Sequence, residues 1–226
     1  MTDKKAIIFD LDGVIVDTAK FHFYAWRNLA KKLSISFDEK DNEQLKGVSR
    51  IESLKKILKW GDRSISEQEF EKLMYQKNVE YLSYVDQMTP DDILPGVMPV
   101  LNFLKEQNVK MALGSASKNA RRILANVKLD DFFDAIVDGI IVSKAKPDPE
   151  VFLKGAELLR VKPEESLVFE DSIAGIEAAN RANMVSIGIG DVQTLHKADK
   201  CFRDFTEIEE EFFLKVGFQF SELKNN

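Results

Sequence analysis

Residues 6–14 read Ala6-Ile7-Ile8-Phe9-Asp10-Leu11-Asp12-Gly13-Val14. Four apolar residues in a row present no polar face to water, so the run predicts a short strand buried on both sides. Two carboxylates, two positions apart, and a glycine follow at once. Taken alone, Asp-x-Asp-Gly also fits an ordinary turn at the end of a strand. What other strand candidates end in decides between a turn and a site.

Four more short apolar runs read as strands: 109–115 (VKMALGS), 135–142 (AIVDGIIV), 166–171 (SLVFED) and 185–190 (VSIGIG). Helical periodicity lies between the later ones. Val97, Val100, Leu101 and Leu104 share one face, as do Ile123, Leu124 and Val127. Val151, Phe152, Leu158 and Leu159 make a third set, and Ile173, Ile176 and Ala179 a fourth. Strand and helix in alternation predict βαβ units and an α/β fold: a Rossmann-like parallel sheet with helices on both faces. Such sheets bind ligands beyond the carboxyl ends of their strands.

From about Asp17 to Met88 the alternation stops and only helical spacing remains: Phe21, Ala25, Leu29 and Leu33, then Ile51, Leu54 and Leu58, then Phe70, Leu73 and Met74. The stretches 34–42 and 61–62 read as connections. The expected organisation is a core of residues 1–16 and 89–226 with an all-helical cap inserted at 17–88. Residues 88–97, stiffened by Pro90 and Pro95, return the chain to the core. Residues 205–226 predict an amphipathic helix and a frayed tail.

The strand ends carry the chemistry. The first ends in Asp10 and Asp12, the second in Gly114-Ser115-Ala116-Ser117-Lys118-Asn119, and the fourth in Glu170-Asp171-Ser172. Lys144 and Lys146 follow the third. Neighbouring parallel strands would bring all of these to one rim. Carboxylates crowded there repel unless a cation or proton relieves them. Ligands that are all oxygen suit Mg²⁺, which retains waters and engages phosphate. Singly, each feature has an ordinary reading: Ser115–Asn119 as a helix cap, Glu170-Asp171 as another, a lysine before proline as solvated.

Bulk properties narrow the field. The 226 residues carry 32 Lys and Arg against 38 Asp and Glu, a net charge of −6, which argues against a nucleic-acid partner. The single cysteine, Cys201, rules out an internal disulfide and lacks an activating neighbour. No leader-like or bilayer-spanning apolar run is present, so the expectation is a cytoplasmic enzyme with no membrane partner. A phosphate loop of the form G-x-x-x-x-G-K-[ST] is absent, which disfavours a nucleotide-dependent kinase.

The segments FDLDGV (9–14), GSAS (114–117), KPDP (146–149) and FEDSIAGIEAA (169–179) resemble the four motifs of the haloacid dehalogenase-like hydrolase superfamily. The resemblance implies a Rossmann-like core, a mobile helical cap and phosphoryl transfer through an aspartyl-phosphate. By that resemblance Asp10 is the nucleophile and Asp12 the general acid/base, while Ser115 and Lys146 hold the transferring group. One Mg²⁺ per chain would bind Asp10, the Asp12 carbonyl and Asp171, with Glu170 beside them. A carboxylate nucleophile divides one hard displacement into two easier ones.

Further segments, FHFYAW (21–26), NEQLKGVSR (42–50) and SASKN (115–119), are similar to the sugar-phosphate mutase branch of that superfamily. This implies interconversion of β-D-glucose 1-phosphate and glucose 6-phosphate, primed by β-glucose 1,6-bisphosphate, in a monomer. The same core motifs serve sugar-phosphate phosphatases, so the insert carries the distinction. Substrate contacts implied on the cap are Thr18, His22, Trp26, Lys46, Gly47, Val48, Ser49, Arg50 and Lys77. Those implied on the core are Asp12, Ser115, Ala116, Ser117, Lys118 and Asn119. Ser49 with Glu52 also matches a helix-start capping box, and Lys77-Asn78 reads by itself as a solvated helix face. Arg50 matters most, because a mutase must grip a second, non-reacting phosphate.

Overall fold

The computed structural model describes residues 3–46 and 48–220. Strand β1 (Ala6–Phe9) is followed by four helices, α1 (Ala19–Lys32), α2 (Glu39–Glu43), α3 (Arg50–Trp60) and α4 (Glu67–Val85). The chain then runs through α5 (Val97–Glu106), β2 (Lys110–Gly114), α6 (Ala120–Asn126), β3 (Ala135–Val137) and α7 (Glu150–Leu159). It ends with β4 (Ser166–Glu170), α8 (Ile173–Arg181), β5 (Val185–Ile189), β6 (Lys200–Phe202) and α9 (Glu210–Lys215). The six strands form one parallel sheet in the order β3-β2-β1-β4-β5-β6.

Strand β1 lies inside the sheet, and its four residues are fully buried because both faces are covered. Ile7 and Phe9 point into one hydrophobic cluster, and Ala6 and Ile8 into the other. Each large side chain so buried contributes roughly 2 kcal/mol. The chain passes from β1 to β2 on one side and later to β4 on the other. The carboxyl end of β1 is therefore the switch point where such sheets open a crevice. Register fixes what meets there: Phe9 lies level with Leu113 of β2 and Phe169 of β4, and Leu113 with Ile136 of β3. The next residues, Asp10, Gly114-Ser115, Val137-Asp138 and Glu170, share one rim.

The helices before α5 build their own core from Trp26, Leu29, Leu54, Ile57 and Leu73, separate from the two clusters that clasp the sheet. Ser49 and Ser66 cap α3 and α4 by accepting from the Glu52 and Glu69 N–H groups. No helix among the described residues is long and apolar enough to cross a membrane.

Several sequence expectations need correction. The third strand ends at Val137, not 142, because the Asp138 carboxylate accepts from the Ile140 and Ile141 N–H groups and turns the chain. A reciprocal capping box between Asp38 and Asp41 makes a short helix, α2, within the supposed 34–42 connection. Strand β6 is an extra edge strand of three residues in a charged stretch, too short to show a pattern. The last helix covers only 210–215 rather than most of 205–226, and residues 221–226 lie outside the described residues. Ile51, Leu158 and Ile173, assigned to buried faces, are exposed.

Candidate functional site

Asp10 closes β1, and its N–H donates to the Phe169 carbonyl of β4 at 2.9 Å. Its carboxylate is buried beside that of Glu170, a proximity that would be strongly unfavourable without a cation. Lys146 supplies one, with Nζ at 2.5 Å from Asp10 Oδ1 and 2.7 Å from Glu170 Oε2. Burial opposes the charge on Lys146, but the two carboxylates outweigh it and hold the ammonium above the usual lysine range. Burial, then Glu170, pushes the Asp10 carboxyl well above the ordinary range, with Lys146 pulling the other way.

Glu170 is fixed by Ser172, whose N–H and hydroxyl both donate to Oε1, at 3.1 and 2.6 Å. The Ser172 Oγ also accepts from Gly175 N–H at 3.0 Å, capping α8. A Cβ at position 175 would stand 1.9 Å from the Glu170 carboxyl carbon, so only glycine fits. Asp171 follows, its carboxyl pushed up to about 7 by burial and then by Glu170. Gly13 has φ +81°, and a Cβ there would fall 2.2 Å from Asp171 Oδ2. Asp10, Glu170 and Asp171 place carboxylate oxygens within 4.8 Å of one another, an acidic cluster with the donor chemistry of a metal site. Asp12 contributes no side chain to that cluster. Its carboxylate is taken by the Thr18 hydroxyl, which donates to Oδ1. Burial raises the Asp12 carboxyl, and the Thr18 hydrogen bond opposes the rise.

A cavity of about 380 Å³ lies over this rim, roofed by the helices that follow β1. Of the residues expected at a site, Asp10, Asp12, His22, Trp26, Lys46, Val48, Ser49, Arg50 and Lys77 line it. So do Ala116, Ser117, Lys118, Asn119, Lys146 and Asp171. Thr18, Ser115 and Glu170 are fully buried and are not lining residues; Thr18 meets the lining through Asp12 and Glu170 through Lys146. Ser115 Oγ accepts from Ser117 N–H at 3.0 Å, which folds the loop after β2. Gly47 lies outside the described residues.

Lys77 corrects a sequence reading, for it is 2% exposed rather than on a solvated face. Its Nζ sits 2.9 Å from His22 Nδ1 and over the rings of Trp26 (4.6 Å) and Tyr81 (4.7 Å). Burial, then the charge of Arg50, lowers the Lys77 ammonium to about 7. Burial, then Lys77, holds His22 well below its usual value, so the ring is neutral and Nδ1 accepts from the ammonium. Lys46 bridges toward the core, 3.4 Å from Asp171 Oδ2. Asn78 accepts from the Asn119 side-chain amide at 3.3 Å, a second tie between the two walls.

Sequence reasoning missed Tyr81, Asn42, Ser53 and, in the loop after β3, Gly139, Val142, Ser143 and Ala145, all of which line the cavity. Tyr81 was within reach, since it follows Lys77 by four positions on one helix face. Its ring lies against His22, tilted by 38° with ring centres 4.2 Å apart. The loop was hidden by reading residues 138–142 as strand.

Comparison with known proteins gives a consistent result. The family model of haloacid dehalogenase-like hydrolases matches residues 4–183. The chain is 43% identical over 206 residues to the beta-phosphoglucomutase of Bacillus subtilis, covering 90% of this chain and 91% of the relative. It is 33% identical over 185 residues to a phosphorylated carbohydrates phosphatase of Thermotoga maritima, covering 81% and 83%. The crystal structure of a beta-phosphoglucomutase from Clostridium difficile superposes with a TM-score of 0.90 at 44% identity, covering 94% of this chain and 96% of that one.

Proposed function

The chain belongs to the haloacid dehalogenase-like hydrolase family, and from that premise we propose that it interconverts β-D-glucose 1-phosphate and glucose 6-phosphate, the β-phosphoglucomutase reaction. One observation supports this reading above the others. Arg50 and Lys77 line the same cavity as Asp10, and among the described residues neither makes a salt bridge. They are free to hold a second phosphate while the first reacts.

In the forward direction the phosphoryl group on Asp10 passes to the sugar C6 hydroxyl. The P–O bond to Asp10 breaks as the bond to O6 forms, and Asp12 accepts the hydroxyl proton. The resulting β-glucose 1,6-bisphosphate turns over. Asp10 then attacks the C1 phosphorus, Asp12 returns its proton to the departing O1, and glucose 6-phosphate leaves. The Thr18 hydroxyl occupies one Asp12 oxygen and leaves the other for this proton. The rise in Asp12 brought by burial suits a group that must hold a proton in one half-reaction and release it in the other. Lys146 and the Ser115 hydroxyl stabilise charge on the phosphoryl oxygens.

The acidic cluster fits Mg²⁺, which the Asp10 and Asp171 carboxylates and the Asp12 carbonyl would hold, with Glu170 alongside. Bound there, the ion supplies positive charge to the phosphoryl oxygens. The cap reading of residues 17–88 assigns the substrate grip to Trp26, Lys46, Gly47, Val48, Ser49, Arg50 and Lys77, with Ser117, Lys118 and Asn119 contributing from the core.

The test supplies β-glucose 1-phosphate, Mg²⁺ and a trace of the bisphosphate, and follows glucose 6-phosphate and inorganic phosphate together. Isomerisation far faster than phosphate release is the expected outcome. Phosphate release with little isomerisation would make the chain a sugar-phosphate phosphatase.

A further inference from the structure

Lys146 sits on a segment with no regular structure, which runs from Asp138, after β3, to Pro149, before α7. Its two halves are anchored separately. Asp138 holds the first through the Ile140 and Ile141 N–H groups, at 2.9 and 3.3 Å. The second is held by Glu150, the first residue of α7. The Glu150 carboxylate accepts from Ser143 N–H at 3.1 and 3.0 Å, from the Ser143 hydroxyl at 2.8 Å and from Lys144 N–H at 2.7 Å. Lys154, one turn along α7, pairs with the same carboxylate at 2.8 Å and donates to the Ile141 carbonyl at 2.7 Å. Among the described residues, no other group holds the Ser143 and Lys144 N–H groups.

Ser143, Lys144 and Lys146 line the cavity; Glu150 does not. We propose that Glu150 is a positioning residue for Lys146: through Ser143 and Lys144 its carboxylate fixes the backbone from which the Lys146 ammonium reaches Asp10 and Glu170. The inference rests on the reading of Lys146 as a holder of the reacting phosphoryl group. The Nζ must meet two carboxylates at once, at 2.5 and 2.7 Å, so a shift of the segment by one ångström breaks at least one contact. Hydrogen bonds from Lys154 and then from Ser143 lower the Glu150 carboxyl to about 2, so the clasp stays ionised through the neutral range. It works as a fixed strut rather than a pH switch.

Glu150→Gln keeps the size of the side chain but removes its charge and exchanges one of the two acceptor oxygens for an NH2 donor, so a single oxygen is left to receive the Ser143 and Lys144 groups and the pairing with Lys154 is lost. Misplacement of about an ångström at a reacting centre costs up to about 100-fold; with Arg181 still donating to the Pro147 carbonyl at 3.1 Å, loss of the Glu150 clasp is expected to cost about tenfold in kcat. KM should stay within about twofold and the thermal midpoint near that of the wild type, since the substrate grip and both sheet clusters are untouched. Lys154→Met, which removes the partner of Glu150 on α7, should lower kcat in the same direction by roughly threefold. An unchanged kcat in Glu150→Gln, a rise in KM at constant kcat, or a kcat loss matched by a falling thermal midpoint would each overturn the proposal. Should Glu150→Gln fail to fold, Lys154→Met decides by the same three readouts. Lys146→Ala is measured alongside. Wild-type kcat in that variant would remove the premise about Lys146, whereas its loss beside an unchanged Glu150→Gln would remove only the Glu150 inference.

Discussion

The two walls of the cavity carry opposite electrostatic problems. The sheet rim crowds Asp10, Asp12, Glu170 and Asp171 together, and the buried ammonium of Lys146 answers only part of that negative charge. The helical wall buries Lys77 and half-buries Arg50 with no carboxylate in salt-bridge distance among the described residues. Neutral His22 and two aromatic faces stand where a counter-ion would be. One wall needs a cation and the other an anion. On the proposed function, a phosphorylated sugar together with a divalent ion would satisfy both, and each wall alone is an unfavourable arrangement of the kind kept at functional sites.

Breaking the rim should have the largest effect. Asp10→Asn removes the nucleophilic charge while keeping the shape, and isomerisation is expected to fall about 10⁴-fold or more. Substrate binding, followed by calorimetry with glucose 6-phosphate, should persist because the helical wall is intact. Isomerisation at near wild-type rate would show that the two walls do not divide the work in this way.

The rim was legible in the sequence and the helical wall much less so. Parallel register carries Asp10 and Glu170 level with Gly114, one residue before Ser115, so strand ends read one after another already point to one rim. Short apolar runs marked the strands because a sheet covered on both faces needs continuous apolar residues. That same rule misplaced the end of β3, since Ile140, Ile141 and Val142 are apolar but turned away by Asp138. On the helical wall, periodicity distinguishes inside from outside only for apolar residues. A lysine buried against aromatic faces carries the same local pattern as one in water, and Lys77 needed the fold to be seen as buried. Glu150 was invisible for another reason: its partners lie six and seven positions back in a loop without a repeat.

Breaking the helical wall should cost less and change the kind of product. Lys77→Met keeps the length and the aromatic packing but removes the charge that meets His22. Isomerisation is expected to fall roughly 100-fold, as for other losses of alignment at a reacting centre. The share of turnover released as inorganic phosphate should rise, because a looser roof admits water to the aspartyl-phosphate. Measuring both products in one reaction checks this. A fall in rate with an unchanged product ratio would confine Lys77 to binding.

The smallest effect separates the walls by stability rather than rate. Lys77 titrates near 7 in the folded chain, lowered by burial and then by Arg50, with Asp12 and Glu80 pulling the other way. Unfolded lysine titrates near 10.4. Below about pH 7 the ammonium is charged in both states, and its burial penalty is fully present. Between about 7 and 10.4 the unfolded chain binds the extra proton, so folding stability rises with pH across that window. The gain is on the order of a few kcal/mol for so large a depression. His22, facing Lys77 and Arg50, is also held low, so stability falls separately as pH drops through about 6.5, where the unfolded imidazole becomes charged. Urea unfolding at pH 7, 8, 9 and 10 should show wild type gaining on Lys77→Met step by step, with the variant more stable at pH 7 and its advantage fading toward pH 10. A constant gap would mean that the Trp26 and Tyr81 rings and His22 compensate the buried charge in full, and that the helical wall is satisfied without an anion.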